Sequence, residues 1–170
     1  MSIGDVSSNA RGSGARYNDG KVAFELLPLR LLLDWLSDNG LLPTEGFDDL
    51  REMLFHLADW QEGDDAALDA ALIAALPEPG LAGFTEAARV FEYGKKKYAA
   101  WNWAKGMPWS VPLGCIIRHS VFGEMAGEPI DPESGKKHRG HILCNLVMLL
   151  LYQQNYPEGD DRPKEWLRHV

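Results

Sequence analysis

Apolar residues recur along this chain at the three-to-four-residue spacing of helices, and no run of useful length alternates with the two-residue period of a strand. Phe24–Leu36 carries Leu26, Leu27, Leu29, Leu31, Leu32, Leu33 and Leu36, and Pro28 suits the first turn of a helix there. A break at Gly40–Pro43 follows. Phe47–Trp60 is amphipathic, with Leu50, Met53, Leu54, Leu57 and Trp60 on one side. Asp64–Leu76 reads as an alanine-rich helix closed by Pro77-Glu78-Pro79-Gly80. Thr85 is a candidate N-cap for the next helix, which carries Ala87, Ala88, Val90, Phe91 and Tyr98. Gly94 within it points to close packing or a helix end. Beyond an irregular aromatic stretch, Trp101–Ser110, the pattern predicts a helix over Leu113–Met125, an acidic loop over Gly127–Lys137 and a long core helix over His138–Tyr156.

These elements predict an all-α fold, a single compact helical domain with two long core helices and an acidic loop between them. The domain is expected over residues 16–156. Residues 1–15, rich in Gly, Ser and Asn, are expected to be disordered, with a tight turn at Arg16–Lys21 after them. Residues 157–170 form a polar tail with a short helix around Trp166. A length of 170 residues, 45% of them hydrophobic, suits one core. The net charge of −8 excludes a broad surface for a nucleic-acid polymer, which needs a basic field. The first residues lack the apolar segment of a signal peptide, and the run Leu146–Tyr152 is too short to cross a bilayer. Cys115 and Cys144 sit in apolar helical patterns and read as buried free thiols. A soluble, cytoplasmic protein without membrane contact is expected.

The chemistry concentrates between Arg118 and Asn145. His138, His141 and Asn145 are spaced to share one face of a helix. His119 lies in the preceding apolar helix, and Glu128, Asp131 and Glu133 lie in the loop between. Imidazole and carboxylate are first-row metal ligands, so His119, Glu128, Asp131, His138 and His141 are the candidate ligands of a divalent ion. Oxygen ligands favour Mg²⁺ or Mn²⁺, whereas imidazoles pull the choice towards Mn²⁺, Ni²⁺ or Zn²⁺. The bland alternative is a polar network that pins the loop to the two helices.

A second constellation, Lys95-Lys96-Lys97-Tyr98 with Trp101-Asn102-Trp103-Ala104-Lys105-Gly106, is cationic and aromatic within an acidic protein. Such a cluster suits an anionic ligand with a flat ring, lysines meeting phosphates and an indole stacking on a base. Against this, the lysines could simply complement a helix C-terminus while the tryptophans fill the core. Arg16 and Lys21 add two cations. No glycine-rich phosphate loop and no serine nucleophile elbow is present.

Gly14-Ala15-Arg16-Tyr17-Asn18-Asp19-Gly20-Lys21, Leu26-Leu27-Pro28, Tyr93-Gly94-Lys95-Lys96-Lys97-Tyr98, Asn102-Trp103 and Lys105-Gly106, followed by Arg118-His119, Gly127-Glu128, Asp131-Pro132-Glu133-Ser134-Gly135, His138, His141 and Asn145, stand in an order that resembles the phage-associated dATP/dGTP diphosphohydrolase N-terminal-type domain. That family is discussed beside the MazG-like all-α nucleoside triphosphate pyrophosphohydrolases. The resemblance covers roughly 14–156 except 41–80, which reads as an extra helical insertion. It implies a helical fold and hydrolysis of a deoxypurine triphosphate to monophosphate and pyrophosphate with a divalent ion, acting on nucleotide pools. By analogy it also implies a homo-oligomer in the cytoplasm of an infected host. The Glu-x-x-Glu and Glu-x-x-Asp quartet of MazG-like enzymes is not found at a matching spacing, and His138-x-x-His141 stands where the second pair would lie.

The resulting expectation gives Glu128, Asp131 and Glu133 catalytic roles beside the histidines. Arg16, Lys21, Lys97, Trp101, Asn102, Trp103, Arg118 and Asn145 are expected to contact a purine deoxynucleotide, with Lys95, Lys96 and Arg139 adding charge. Two other readings compete. A non-catalytic protein that sequesters a nucleotide would keep the cationic-aromatic pocket without turnover, and a structural interaction module would use the histidines only as a buried network.

Overall fold

In the computed structural model the apolar stripes become helices α1 (Leu29–Asp38), α2 (Asp48–Gln61), α3 (Ala67–Ala75), α4 (Thr85–Lys97), α5 (Ser110–Arg118), α6 (His138–Asn155) and α7 (Lys164–Leu167). Residues 2–43 and 45–168 are described. Met1, Thr44, His169 and Val170 lie outside them, and with them the first residue of the 1–15 segment, one residue of 41–80 and the end of the 157–170 tail. The fold is all-α apart from a two-residue antiparallel ladder between β1 (Ser2–Ile3) and β2 (Arg16–Tyr17).

Helix α6 is the centre, packed by α3, α4 and α5. Its residues Ile142, Leu143, Leu146, Leu149 and Tyr152 are fully buried, so it is apolar nearly all round rather than on one stripe. Close approach to α4 needs Gly140, where a Cβ would stand 2.6 Å from the carbonyl oxygen of Glu86. Trp60 of α2 stacks on Trp109 with ring centroids 6.0 Å apart.

Several boundaries differ from the sequence expectation. α1 starts after Pro28, because proline holds Leu27 extended, and Phe24–Leu26 forms a separate 3₁₀ turn. The side chain of Gln61 closes this junction, accepting from Leu29 N and donating to Leu27 O. Thr85 begins α4 but does not cap it, since its hydroxyl donates back to Ala82 O. The helix expected over Leu113–Met125 is α5, a π-turn at His119–Gly123 and a 3₁₀ turn at Glu124–Ala126.

The segment 41–80 is not an appendage. Leu50, Met53, Leu57, Trp60, Leu68 and Ala71 are fully buried and build the core with α6. The start of the chain is likewise drawn in rather than left disordered. Gly12 N donates to Lys105 O, Gly14 N donates to Gly106 O, and the Lys105 ammonium donates to the carbonyls of Asp5, Val6 and Ser8. The tail returns as well: Arg162 lies over both Trp60 and Trp109, pairs with Asp65 and Asp160, and donates to Trp60 O. Among the described residues no helix is long and apolar enough to cross a membrane.

Candidate functional site

The N-terminal turn of α6 carries His138 and His141, and the end of α5 carries His119. The π-turn that starts at His119 widens the helix, a feature found often at functional sites. It brings His119 Nδ1 within 2.8 Å of His138 Nδ1, while the His119 and His141 rings stack with centroids 4.2 Å apart. The approach of His138 to this turn is tight. A Cβ at Gly123 would stand 2.4 Å from His138 Cγ, so only glycine leaves room for the ring.

The acidic loop is folded over the histidines by a β-bridge between Ile130 and Lys137. Asp131 accepts from the backbone and the hydroxyl of Ser134, and its Oδ2 lies 3.4 Å from His141 Nε2. Ser134 Oγ is also 2.7 Å from His141 Nε2. A serine hydroxyl has one proton, and here it points to Asp131. The Ser134 oxygen is then an acceptor, which places the proton of His141 on Nε2 and leaves Nδ1 bare. Ser134 stands in the sequence only as part of the Asp131–Gly135 motif; the bond that makes it a hub runs from the loop to the first turns of α6.

Burial pushes the His119 pKa down to about 2, and the neighbouring His141 adds to the shift. Burial lowers His141 to about 4; Asp131 opposes the shift, and His138, Arg16 and Lys21 reinforce it. Burial acts to raise the Asp131 carboxyl, but hydrogen bonds from Ser134 and the nearby imidazoles bring it below the usual range. His119 and His141 are therefore neutral, with lone pairs available near neutral pH.

One donor atom each from His119, Asp131 and His138 lies within 4.8 Å of the others. Two imidazole nitrogens at right angles on one ion, each about 2.05 Å from it, stand about 2.9 Å apart, close to the 2.8 Å between the two Nδ1 atoms. His138 Nε2 is buried without a hydrogen-bond partner. This set of imidazoles and one carboxylate suits a borderline ion such as Ni²⁺ or Zn²⁺ better than a hard, oxygen-seeking ion such as Mg²⁺, with Mn²⁺ between them in its tolerance of imidazole.

The histidines line a cavity of about 810 Å³ to which α4, α5 and α6 all contribute. Of the sequence candidates, Glu128, Lys96 and Arg139 do not line it. Glu128 is exposed on the loop, where its backbone N–H bonds Gly123 O and its side chain is outside the donor group. Glu133 reaches the cavity but pairs with Lys97 at 3.0 Å rather than joining the histidines. Lys97 also lies over the rings of Tyr17, Tyr93 and Tyr98. Arg139 is turned away, held by Glu124, Asp49 and Ala75 O.

On the cavity floor, the half-buried Arg16 bonds Cys115 Sγ, Asn145 Oδ1 and Met148 Sδ, with no carboxylate among its described partners. Arg118 donates to Val22 O, Asn18 Oδ1 and the same Cys115 sulfur. Burial pushes the Cys144 thiol up to about 12, which makes it an inert filler. Asn145 accepts from Arg16 and donates to His141 O, and so ties the cation to the histidine turn. Asn102 does not present its amide to the cavity. It accepts from Ala15 N and donates to Ala15 O, which fixes the strand that delivers Arg16. Trp103 packs on Phe91 with centroids 4.8 Å apart, and the exposed Trp101, in the left-handed region at φ 62°, tilts against it.

The family model described as dATP/dGTP diphosphohydrolase, N-terminal, matches residues 58–162, more than half of the chain. The matched range holds all of the histidine group and starts inside the segment read above as an insertion, while Arg16 and Lys21 precede it. No curated protein and no solved structure matches the chain.

Proposed function

The chain belongs to the dATP/dGTP diphosphohydrolase N-terminal family, and on that premise we propose that it hydrolyses a deoxypurine nucleoside triphosphate to the monophosphate and pyrophosphate with a divalent ion. The observation that carries the reading is the convergence of His119, Asp131 and His138 on a cavity also lined by Arg16, whose described partners include no carboxylate. An ion held by those three side chains would lower the pKa of a water and polarise a phosphoryl oxygen.

The protein's own groups supply the rest. His141, neutral and bare at Nδ1, receives the proton of the attacking water there, and Asp131 beside it stabilises the imidazolium that forms. The water oxygen bonds the α-phosphorus, the α–β bridge bond breaks, and pyrophosphate leaves with the bond's electron pair. Arg16, Lys21, Lys97 and Arg118 offset the phosphate charge, and charge-assisted hydrogen bonds from guanidinium to phosphate are the strong kind. In this scheme Asp131 is the working carboxylate, Glu133 orients Lys97, and Glu128 has no part.

Incubation of each deoxynucleoside triphosphate with Mg²⁺, Mn²⁺ or Co²⁺, followed by ion-exchange separation of products, tests this. Monophosphate and pyrophosphate in equal amounts are expected, with His141→Ala slower by orders of magnitude at an unchanged far-UV spectrum. Stoichiometric binding with the nucleotide recovered intact would assign the chain to sequestration instead.

A further inference from the structure

Helix α4 carries one stripe towards the core and the cavity: Ala87, Val90 and Phe91, then Gly94, then the cavity-lining Lys97 at its end. Ala87 and Val90 are buried, and Phe91 packs on the core. The next inward position in such a stripe ordinarily carries another large apolar side chain. It carries glycine instead, a residue that weakens a helix interior. Other glycines in helical segments have a packing reason. A Cβ at Gly114 would stand 2.1 Å from the Glu25 carboxylate, and Gly140 and Gly123 are crowded in the same way. At Gly94 a Cβ meets no atom within 4 Å, the helix runs on through it to Lys97, and the residue lines the cavity. Neither the packing nor the backbone of the fold requires glycine here.

Resting on the nucleotide reading above, we propose that Gly94 is a specificity-determining position: the bare backbone of α4 at this point is one wall of the slot that takes the purine ring. The cavity walls are of two chemical kinds. The imidazoles and Asp131 stand at the first turn of α6. Phe91, Trp103 and Met107 line the cavity as an apolar, aromatic surface, with Phe91 and Trp103 in contact. The lining extends about 15 Å along α6 from His138 to Met148, at 1.5 Å per residue. A flat ring that stacks on an aromatic side chain needs an open slot beside it, and the missing side chain at Gly94 leaves that room.

The test compares Gly94→Ala and Gly94→Leu with the wild type by calorimetric binding of dGTP and dATP, with inorganic tripolyphosphate as a probe that has phosphates and no base. Gly94→Ala is expected to raise the thermal midpoint by about 2 °C, since alanine is the better helix former. Gly94→Leu, which fills the slot, is expected to weaken both nucleotides by about 10- to 100-fold, the range given by a lost stacking contact. It should weaken tripolyphosphate far less than either nucleotide: Lys97 lies one turn along α4 from the new side chain, but the imidazoles, Asp131 and Arg118 stand on other elements. Nucleotide affinity unchanged in Gly94→Leu overturns the proposal, and so does an equal loss for tripolyphosphate and nucleotides. If the wild type binds tripolyphosphate but neither nucleotide, the base slot and the nucleotide reading fall together.

Discussion

Gly123→Ala probes the histidine cluster without altering any proposed ligand. The new Cβ would stand 2.4 Å from His138 Cγ and 2.6 Å from its Cδ2 and Nδ1, where ordinary contact starts at 3.4 Å. The ring must therefore recede by about 1 Å. His138 is only 5% exposed, so the ring can recede only towards the cavity that it lines. Overpacking of this kind costs about 1–3 kcal/mol. At about 3 °C per kcal/mol for a chain of this size, the thermal midpoint falls by about 3–9 °C. The displaced ring also leaves its position 2.8 Å from His119. Disturbing the support of a metal ligand lowers metal affinity by about 10- to 100-fold. Calorimetric titration with Mn²⁺ and Co²⁺, beside thermal melts of the same samples, reads both quantities. A lower midpoint with wild-type metal affinity would show that His138 is packed as described but holds no ion, and the metal site would be refuted.

Two further perturbations separate stability from binding. Arg16→Met removes an enclosed cation whose described partners are two sulfurs and an amide; the thermal midpoint should hold or rise, while dGTP affinity measured by calorimetry falls about 10-fold or more, the loss of a charged hydrogen bond, and unchanged affinity would remove Arg16 from the site. The stability of the metal-free protein should decline as pH drops from about 6.5 towards 4, because unfolded histidines take up protons near 6.5 whereas folded His141 and His119 resist until about 4 and about 2. Each ring contributes a slope of up to about 1.4 kcal/mol per pH unit in that window and none above it. Urea unfolding at stepped pH reads the slope, and a flat profile would mean that the rings are not held neutral.

The helical architecture was legible because it rests on local periodicity: Leu50, Met53, Leu54, Leu57 and Trp60 announce α2, and the run after His141 announces the central helix. The shared helix turn of His138 and His141 followed from their spacing. His119 entered the candidate ligand set with them on residue type alone; the π-turn that begins at His119 and the room that Gly123 leaves for the His138 ring have no periodic signature in the sequence. Ser134, Asn102 and Arg139 show a second limit. Each is a polar residue whose partner lies 7 to 90 positions away, so composition could nominate it but not say whether its bonds were already committed. The same reason explains the ends of the chain. Residues 3–15 have the composition of a loose segment, yet Lys105 gathers their carbonyls, and Arg162 of the polar tail fits between buried tryptophans and two aspartates.

Hydrolysis in ¹⁸O-labelled water with a divalent ion tests the central claim most directly. Attack of water on the α-phosphorus of dGTP or dATP predicts one ¹⁸O atom in the deoxynucleoside monophosphate and none in pyrophosphate, by mass spectrometry of the separated products, with turnover abolished by chelator and restored by added ion. Label in released inorganic phosphate, or full recovery of unlabelled triphosphate with every ion tried, would contradict it.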